Sequence, residues 1–212
     1  MLELFHKGGI FMYPLLVAFI GGVAVILERL WTLSRASVNT RRLFGRLEEV
    51  LRSEGVEKAL ELCSKTRGPV AATLHAGLLR VEQGMEYVEK AIESAGSVEM
   101  AFLEKGLVWL ATVVNIAPML GFLGTVSGMI KAFESIARAG DVEPSLVAAG
   151  ISEALITTAT GLSIAIPVQA FHNYFVSKID KIVIDMEESS SALLDVLYEL
   201  GYGRGGKRVA AS

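Results

Sequence analysis

From Pro144 to Ser177 the chain reads PSLVAAGISEALITTATGLSIAIPVQAFHNYFVS. A bilayer-crossing helix needs about 20 predominantly apolar residues, and this run exceeds that length. It carries one charged residue, Glu153. Pro144 suits the first turn of a helix, with Asp141 and Glu143 just ahead of it. Glu153 then lies nine residues inside, roughly 13 Å along the axis at about 1.5 Å per residue. That depth falls well within a hydrocarbon core about 30 Å thick. A carboxylate facing lipid there costs at least ~2.5–3.5 kcal/mol, so Glu153 is expected to face a protein interior or a water-filled path. Loss of solvation disfavours the charged form of a carboxylate, which brings a protonated state within reach near neutral pH. A proton relay requires that. Two plainer readings compete: a structural ion pair, with Lys131 across the loop as partner, or a helix that starts later and leaves Glu153 at the interface.

The neighbours of Glu153 widen a polar sector. Thr157 and Thr160 follow at four and seven residues, on the same helix face, with Thr158 and Ser163 beside them. In the preceding apolar run Asn115 and Thr125 stand ten residues apart, again close to one face. Hydroxyls and an amide near a carboxylate can hold water or hand on a proton. Ser and Thr also serve simply to bind membrane helices together. Gly121, Gly124 and Gly128 form a small-residue face, with Gly124 and Gly128 in a G-x-x-x-G. Such a face predicts close contact with another helix, in this chain or in a second copy. Pro118 and Pro167 lie inside the apolar runs, where each removes a backbone donor and can kink its helix.

Two further stretches reach spanning length without a charge, Gly8 to Leu27 and Gly106 to Ile130. The first runs straight into Glu28 and Arg29 with no small-x-small site, so it reads as a retained span rather than a cleaved signal. The composition agrees with a membrane class: 52% of the 212 residues are hydrophobic and the mean hydropathy is +0.48. The net charge of −3 is spread along the chain, with no clustered basic surface for nucleic acid. One cysteine, Cys63, allows no internal disulfide, and His6, His75 and His172 lack metal-ligand spacing. Basic residues set the orientation. Arg29, Arg35, Arg41, Arg42 and Arg46 follow the first span, and Lys178 and Lys181 follow the third. The N-terminus and the loop before Pro144 are therefore expected outside the cytoplasm, and both long flanks inside.

The inner segment is helical in pattern. Leu43, Leu47, Val50 and Leu51 repeat at helical spacing, and Val56, Leu60 and Cys63 do so after the Ser53-Glu54-Gly55 break. Gly68-Pro69 ends that helix and opens another, with Val70, Leu74 and Leu78 on one face. From about Glu86 charged residues continue to Lys105 and then stop, which predicts one long helix entering the membrane without a loop. Beyond the third span Ile179, Ile182, Met186, Leu193, Leu194 and Leu197 continue a helical stripe. Helices extended in this way would form a stalk, packed on each other or on sister subunits. The expected partition is 1–33 for the N-terminal segment and first transmembrane helix, 34–104 for a cytoplasmic helical domain and 105–137 for the second transmembrane helix. A short periplasmic loop takes 138–146, the third transmembrane helix 147–177, a cytoplasmic helix 178–200 and a disordered tail 201–212.

Ala117-Pro118-Met119-Leu120-Gly121-Phe122-Leu123-Gly124-Thr125-Val126-Ser127-Gly128-Met129 resembles the second-span motif of the ExbB/TolQ family. The run from Gly150-Ile151-Ser152-Glu153-Ala154-Leu155 to Ala165-Ile166-Pro167 resembles its third-span motif. The resemblance implies an all-α membrane protein with three transmembrane helices and long helical cytoplasmic extensions, assembled into a ring, usually a homopentamer. It implies single-span partners of the ExbD/TolR type inside the ring and a TonB- or TolA-type protein energised by the proton motive force. By position Glu153 matches the family's membrane Glu, Thr158 its third-span pore Thr and Thr125 its second-span pore Thr. With Thr157 these form the implied proton pathway, in the inner membrane of a bacterium. The implied coupling ion is H⁺, with Na⁺ as the alternative, and no cofactor or metal is expected. ExbB-like and TolQ-like roles stay side by side.

Other classes fit less well. Gly124-Thr125-Val126-Ser127-Gly128 is G-x-x-S-G, not the G-x-S-x-G elbow of a hydrolase, so no enzyme is expected. A MotA-like stator usually has four spans and a larger cytoplasmic part. A passive scaffold would tolerate Glu153→Gln.

Overall fold

The computed structural model describes residues 2–36, 40–139 and 144–202. Among these the regular elements are helices: α1 (Leu2–Lys7), α2 (Met12–Ala36), α3 (Thr40–Ser53), α4 (Val56–Lys65), α5 (Pro69–Leu78), α6 (Met85–Glu104), α7 (Leu107–Ala139) and α8 (Pro144–Glu199), with a 3₁₀ turn at Val81–Gln83. The all-helical expectation holds, and three helices are long and apolar enough to cross a membrane. The chain divides into two compact units, Met1–Arg29 with Gly106–Phe175, and Leu30–Lys105 with Val176–Ser212. The tail expected to be disordered lies, from residue 203 on, outside the described residues, as do residues 140–143 of the expected loop.

The first unit is assembled around small residues. Gly161 of α8 sits so close to α7 that a Cβ there would stand 2.5 Å from the Ala117 carbonyl oxygen. One at Gly128 would meet Gly150 O at 2.7 Å, and one at Gly150 the Ala132 Cβ at 2.7 Å. The pairing runs antiparallel along both helices, with Gly121 against Thr157 and Thr158 between those ends. The partner of the expected glycine face is therefore α8 of the same chain. Close backbone approach of this kind is how membrane helices associate when hydrophobic burial gives no drive between them. Helix α2 adds Gly22, which faces Val113 of α7 and Val168 of α8. Its buried stripe is narrow (Met12, Leu15, Ile26), and large apolar side chains cover much of these helices' surface. Val17 is 70% exposed, Phe122 68% and Val108 75%. Faces this apolar need lipid or another protein against them.

The first span differs in its start. Gly9 has φ +71, outside the helical region for an L-residue but open to glycine, so α2 begins at Met12 rather than Gly8. It also continues past Leu27, and Arg29, counted above as an orientation marker, is buried and paired with Glu28 at 2.6 Å. The expected unbroken helix from Glu86 into the second span is interrupted. Lys105 leaves helical geometry at ψ 129 and Gly106 adopts φ +87, so α6 ends at Glu104 and α7 starts at Leu107. Glycine makes that turn without steric cost, and composition alone does not show where it is used. Helix α8 is continuous, and α7 and α8 run through Pro118 and Pro167 respectively.

The second unit packs α3 to α6 with the end of α8. Leu43, Leu47 and Leu51 are buried as their spacing predicted, as are Val70, Leu74 and Leu78. Ala59 and Cys63 turn inward from α4, and Ile179, Ile182, Met186, Leu193 and Leu197 from α8. Val50 and Leu194 are only partly covered. The break at residues 53–55 and the Gly68-Pro69 junction fall where expected, with Pro69 in the first turn of α5.

Gly161→Ala is expected to destabilise the protein in detergent by about 1–3 kcal/mol through overpacking. Gly21, with nothing within 4 Å of an added Cβ, is expected to tolerate alanine or to gain up to ~1 kcal/mol of helix propensity. Thermal unfolding followed by circular dichroism compares the two. Burial pushes the Cys63 thiol up to about 11, so maleimide labelling near neutral pH should run about a hundredfold slower than for a free thiol until the helices unfold.

Candidate functional site

Glu153 emerges from α8 beside a close stretch of the α7–α8 contact. Its neighbour Ala154 packs against Gly128, and Gly150, one turn earlier, packs against Ala132. This fixes the carboxylate level with Lys131 of α7. Lys131 Nζ donates to Glu153 Oε1 at 2.5 Å. The ion pair named above as the plainer reading is thus present. The Glu153 side chain is 19% exposed and that of Lys131 51%, so the acid is largely covered and the amine reaches outward. The backbone at Gly9 closes another side: a Cβ there would overlap the Glu153 carboxylate. Both charged groups line a cavity of about 540 Å³ shared with Lys7, Ser135, Ser145 and Ser152. Glu153 therefore opens onto a partly open cleft that also holds two lysines and three serines.

The threonines are placed differently from the acid. Thr157 is fully buried; its hydroxyl donates to the Glu153 carbonyl at 2.5 Å and its side chain fills the space left by Gly124. Thr158 donates across the helix pair to Gly121 O at 3.0 Å and also lies 3.3 Å from Ala154 O. Thr125 donates to Phe122 O at 2.6 Å, and Thr160 to Ile156 O at 2.8 Å. Each O–H thus meets a backbone carbonyl, which leaves the oxygen free as an acceptor. α8 brings Thr157 and Thr158 within one and a half turns of Glu153, and packing adds Gly121, Gly124 and Gly128. Asn115 donates to Ala111 O at 2.7 Å and is exposed.

Sequence reasoning did not single out Lys7 or Gly9 for this site. It also left Ala117, Ala132, Gly150 and Gly161 out of the packing face. A signal for the latter exists: small residues at 117, 121, 124, 128 and 132 and at 150, 154, 157 and 161 repeat at matching helical spacing on both helices. No comparable signal marks Lys7 or Gly9.

A bundle of three helices long and apolar enough to cross a membrane, closed by small residues and carrying a largely covered carboxylate, has the make-up of a membrane protein. The profile of the MotA/TolQ/ExbB proton channel family matches residues 65–188. The chain is 33% identical over 180 residues to a biopolymer transport protein ExbB homolog of Methanothermobacter thermautotrophicus, covering 84% of this chain and 64% of that one. It is 34% identical over 172 residues to a biopolymer transport protein ExbB-like 1 of Synechocystis sp., covering 78% and 66%. It is 33% identical over 115 residues to the Tol-Pal system protein TolQ of Haemophilus influenzae, covering 54% and 50%. The chain belongs to the MotA/TolQ/ExbB proton channel family. It spans just under two thirds of the first two relatives and half of the third.

Thr158→Val removes the hydrogen bond between α7 and α8 and is expected to lower stability by about 1 kcal/mol, in the range of interhelical membrane hydrogen bonds. Thr160→Val, whose hydroxyl bonds within α8, should cost less. Unfolding in mixed detergent micelles measures both.

Proposed function

We propose that this chain is the proton-conducting subunit of an inner-membrane motor that uses the proton motive force to energise a TonB- or TolA-type protein. The observation that carries the reading is the Glu153 carboxylate, held on a spanning helix at the edge of a cavity that also holds serines and lysines. Family membership supports it, as do relatives named for both ExbB and TolQ. An acid that exchanges charge for neutrality changes its interaction energy with its surroundings by several kcal/mol in a poorly solvated site. That change can do mechanical work on a neighbouring helix.

In this reading the exposed apolar faces of α2, α7 and α8 meet lipid and sister copies in a ring, with a pentamer as the expected number. Single-span ExbD/TolR-type subunits occupy its centre, and the N-terminus faces the periplasm and the C-terminus the cytoplasm. Thr125, Thr157 and Thr158 supply acceptor lone pairs along the route. Each passes a proton onward only by rotating its hydroxyl away from the carbonyl it now holds. H⁺ suits this arrangement better than Na⁺, because Na⁺ needs several oxygen ligands at once.

The test is Glu153→Gln in the complete complex reconstituted in liposomes. Glutamine keeps the shape and cannot ionise. The variant should assemble with its partners and lose gradient-driven proton uptake down to background. Undiminished uptake would refute the role of Glu153.

A further inference from the structure

We infer that Lys131 is the resident counter-ion of Glu153 and that this carboxylate takes up a proton only as the lysine leaves it. The inference rests on the proposed role of Glu153 and gives Lys131 a positioning part in it. The two residues are 22 apart in sequence, yet each adjoins a residue of the close α7–α8 contact, Lys131 beside Ala132 and Glu153 beside Ala154. Backbone and methyl groups block sliding there, so the pair's register cannot drift. An ammonium donates and has no acceptor.

The two partners differ in freedom. With its side chain 51% exposed against 19%, Lys131 can swing into the cavity while Glu153 stays confined by the Gly9 backbone. Among the described residues the other charged group lining the cavity is Lys7 from α1, accompanied by Ser135, Ser145 and Ser152. The Gly9 segment presents backbone, and Ser135 of α7 donates to the Lys131 carbonyl. The cations that face Glu153 are therefore Lys131, in contact, and Lys7, across the cavity. Proton capture is then an exchange of partners. A hydronium ion gives its proton to the carboxylate and leaves as water. The resulting neutral acid releases the Lys131 ammonium, which keeps its three protons and turns to cavity water. Release reverses the sequence, and no proton passes through the lysine nitrogen.

The experiment uses the full complex in liposomes and dicyclohexylcarbodiimide, which modifies protonated carboxyl groups, with Glu153 labelling read by mass spectrometry against pH. Lys131→Met keeps the chain length without the charge. It should move the labelling midpoint upward by about one pH unit, a tenfold gain in proton affinity. Lys131→Arg should restore the wild-type midpoint. A merely structural role for the lysine would leave the midpoint of the assembled variant where it was, and that result overturns the inference. If Lys131→Met does not assemble, Lys131→Gln, which keeps a donor without the charge, carries the same test. A silent Glu153→Gln with an unmoved midpoint in the lysine variants removes only the counter-ion. A fully conducting Glu153→Gln removes the underlying reading as well.

Discussion

The small size of the side chains along one line between two helices is the constraint on which this structure depends. Where Gly161 meets Ala117, and Gly128 meets Gly150, the backbones of α7 and α8 approach until a single added carbon would collide with a carbonyl oxygen. In water such a contact would be held by burial of apolar area. Between membrane helices lipid solvates apolar groups equally well, so packing and hydrogen bonds must hold it. Thr158, bonded to the Gly121 carbonyl, adds one polar tie to the same line. The register of the hairpin follows, and with it the meeting of Lys131 and Glu153.

That register gives the acid its two-sided character. On one side lie the closed seam and the Gly9 backbone; on the other a cavity with serines and two lysines. The acid is thus largely covered, with the more exposed ammonium of Lys131 at its mouth. The surrounding hydroxyls are oriented towards carbonyls, which keeps their protons in place at rest.

Much of this was legible in the residues. Uninterrupted apolar length marked the spans, and the Gly68-Pro69 and 53–55 breaks marked the ends of helices in the second unit, because proline geometry and helical spacing are local properties. Glu153 stood out because a charge in an apolar run is costly, and Lys131 could be named as a partner because it lies across a short connection. The turn at Gly106 was not legible. Glycine is tolerated in helices, and the change there is one of backbone angle, not of hydropathy. Lys7 and Gly9 were hidden for a different reason: their place beside Glu153 depends on how the N-terminal segment folds back, which no local pattern encodes. The orientation argument from basic residues also counted Arg29, which is buried and paired with Glu28.

The central claim is that Glu153 changes protonation state during energy coupling. Isotope-edited infrared difference spectroscopy on the reconstituted complex, with labelled glutamate, observes this directly. With a proton gradient imposed, the account predicts a loss of carboxylate absorption and a matching gain of protonated carboxyl absorption, both reversing when the gradient collapses and both absent from a chain without an acid at position 153. A spectrum in which that carboxylate stays unchanged while the complex works would contradict it.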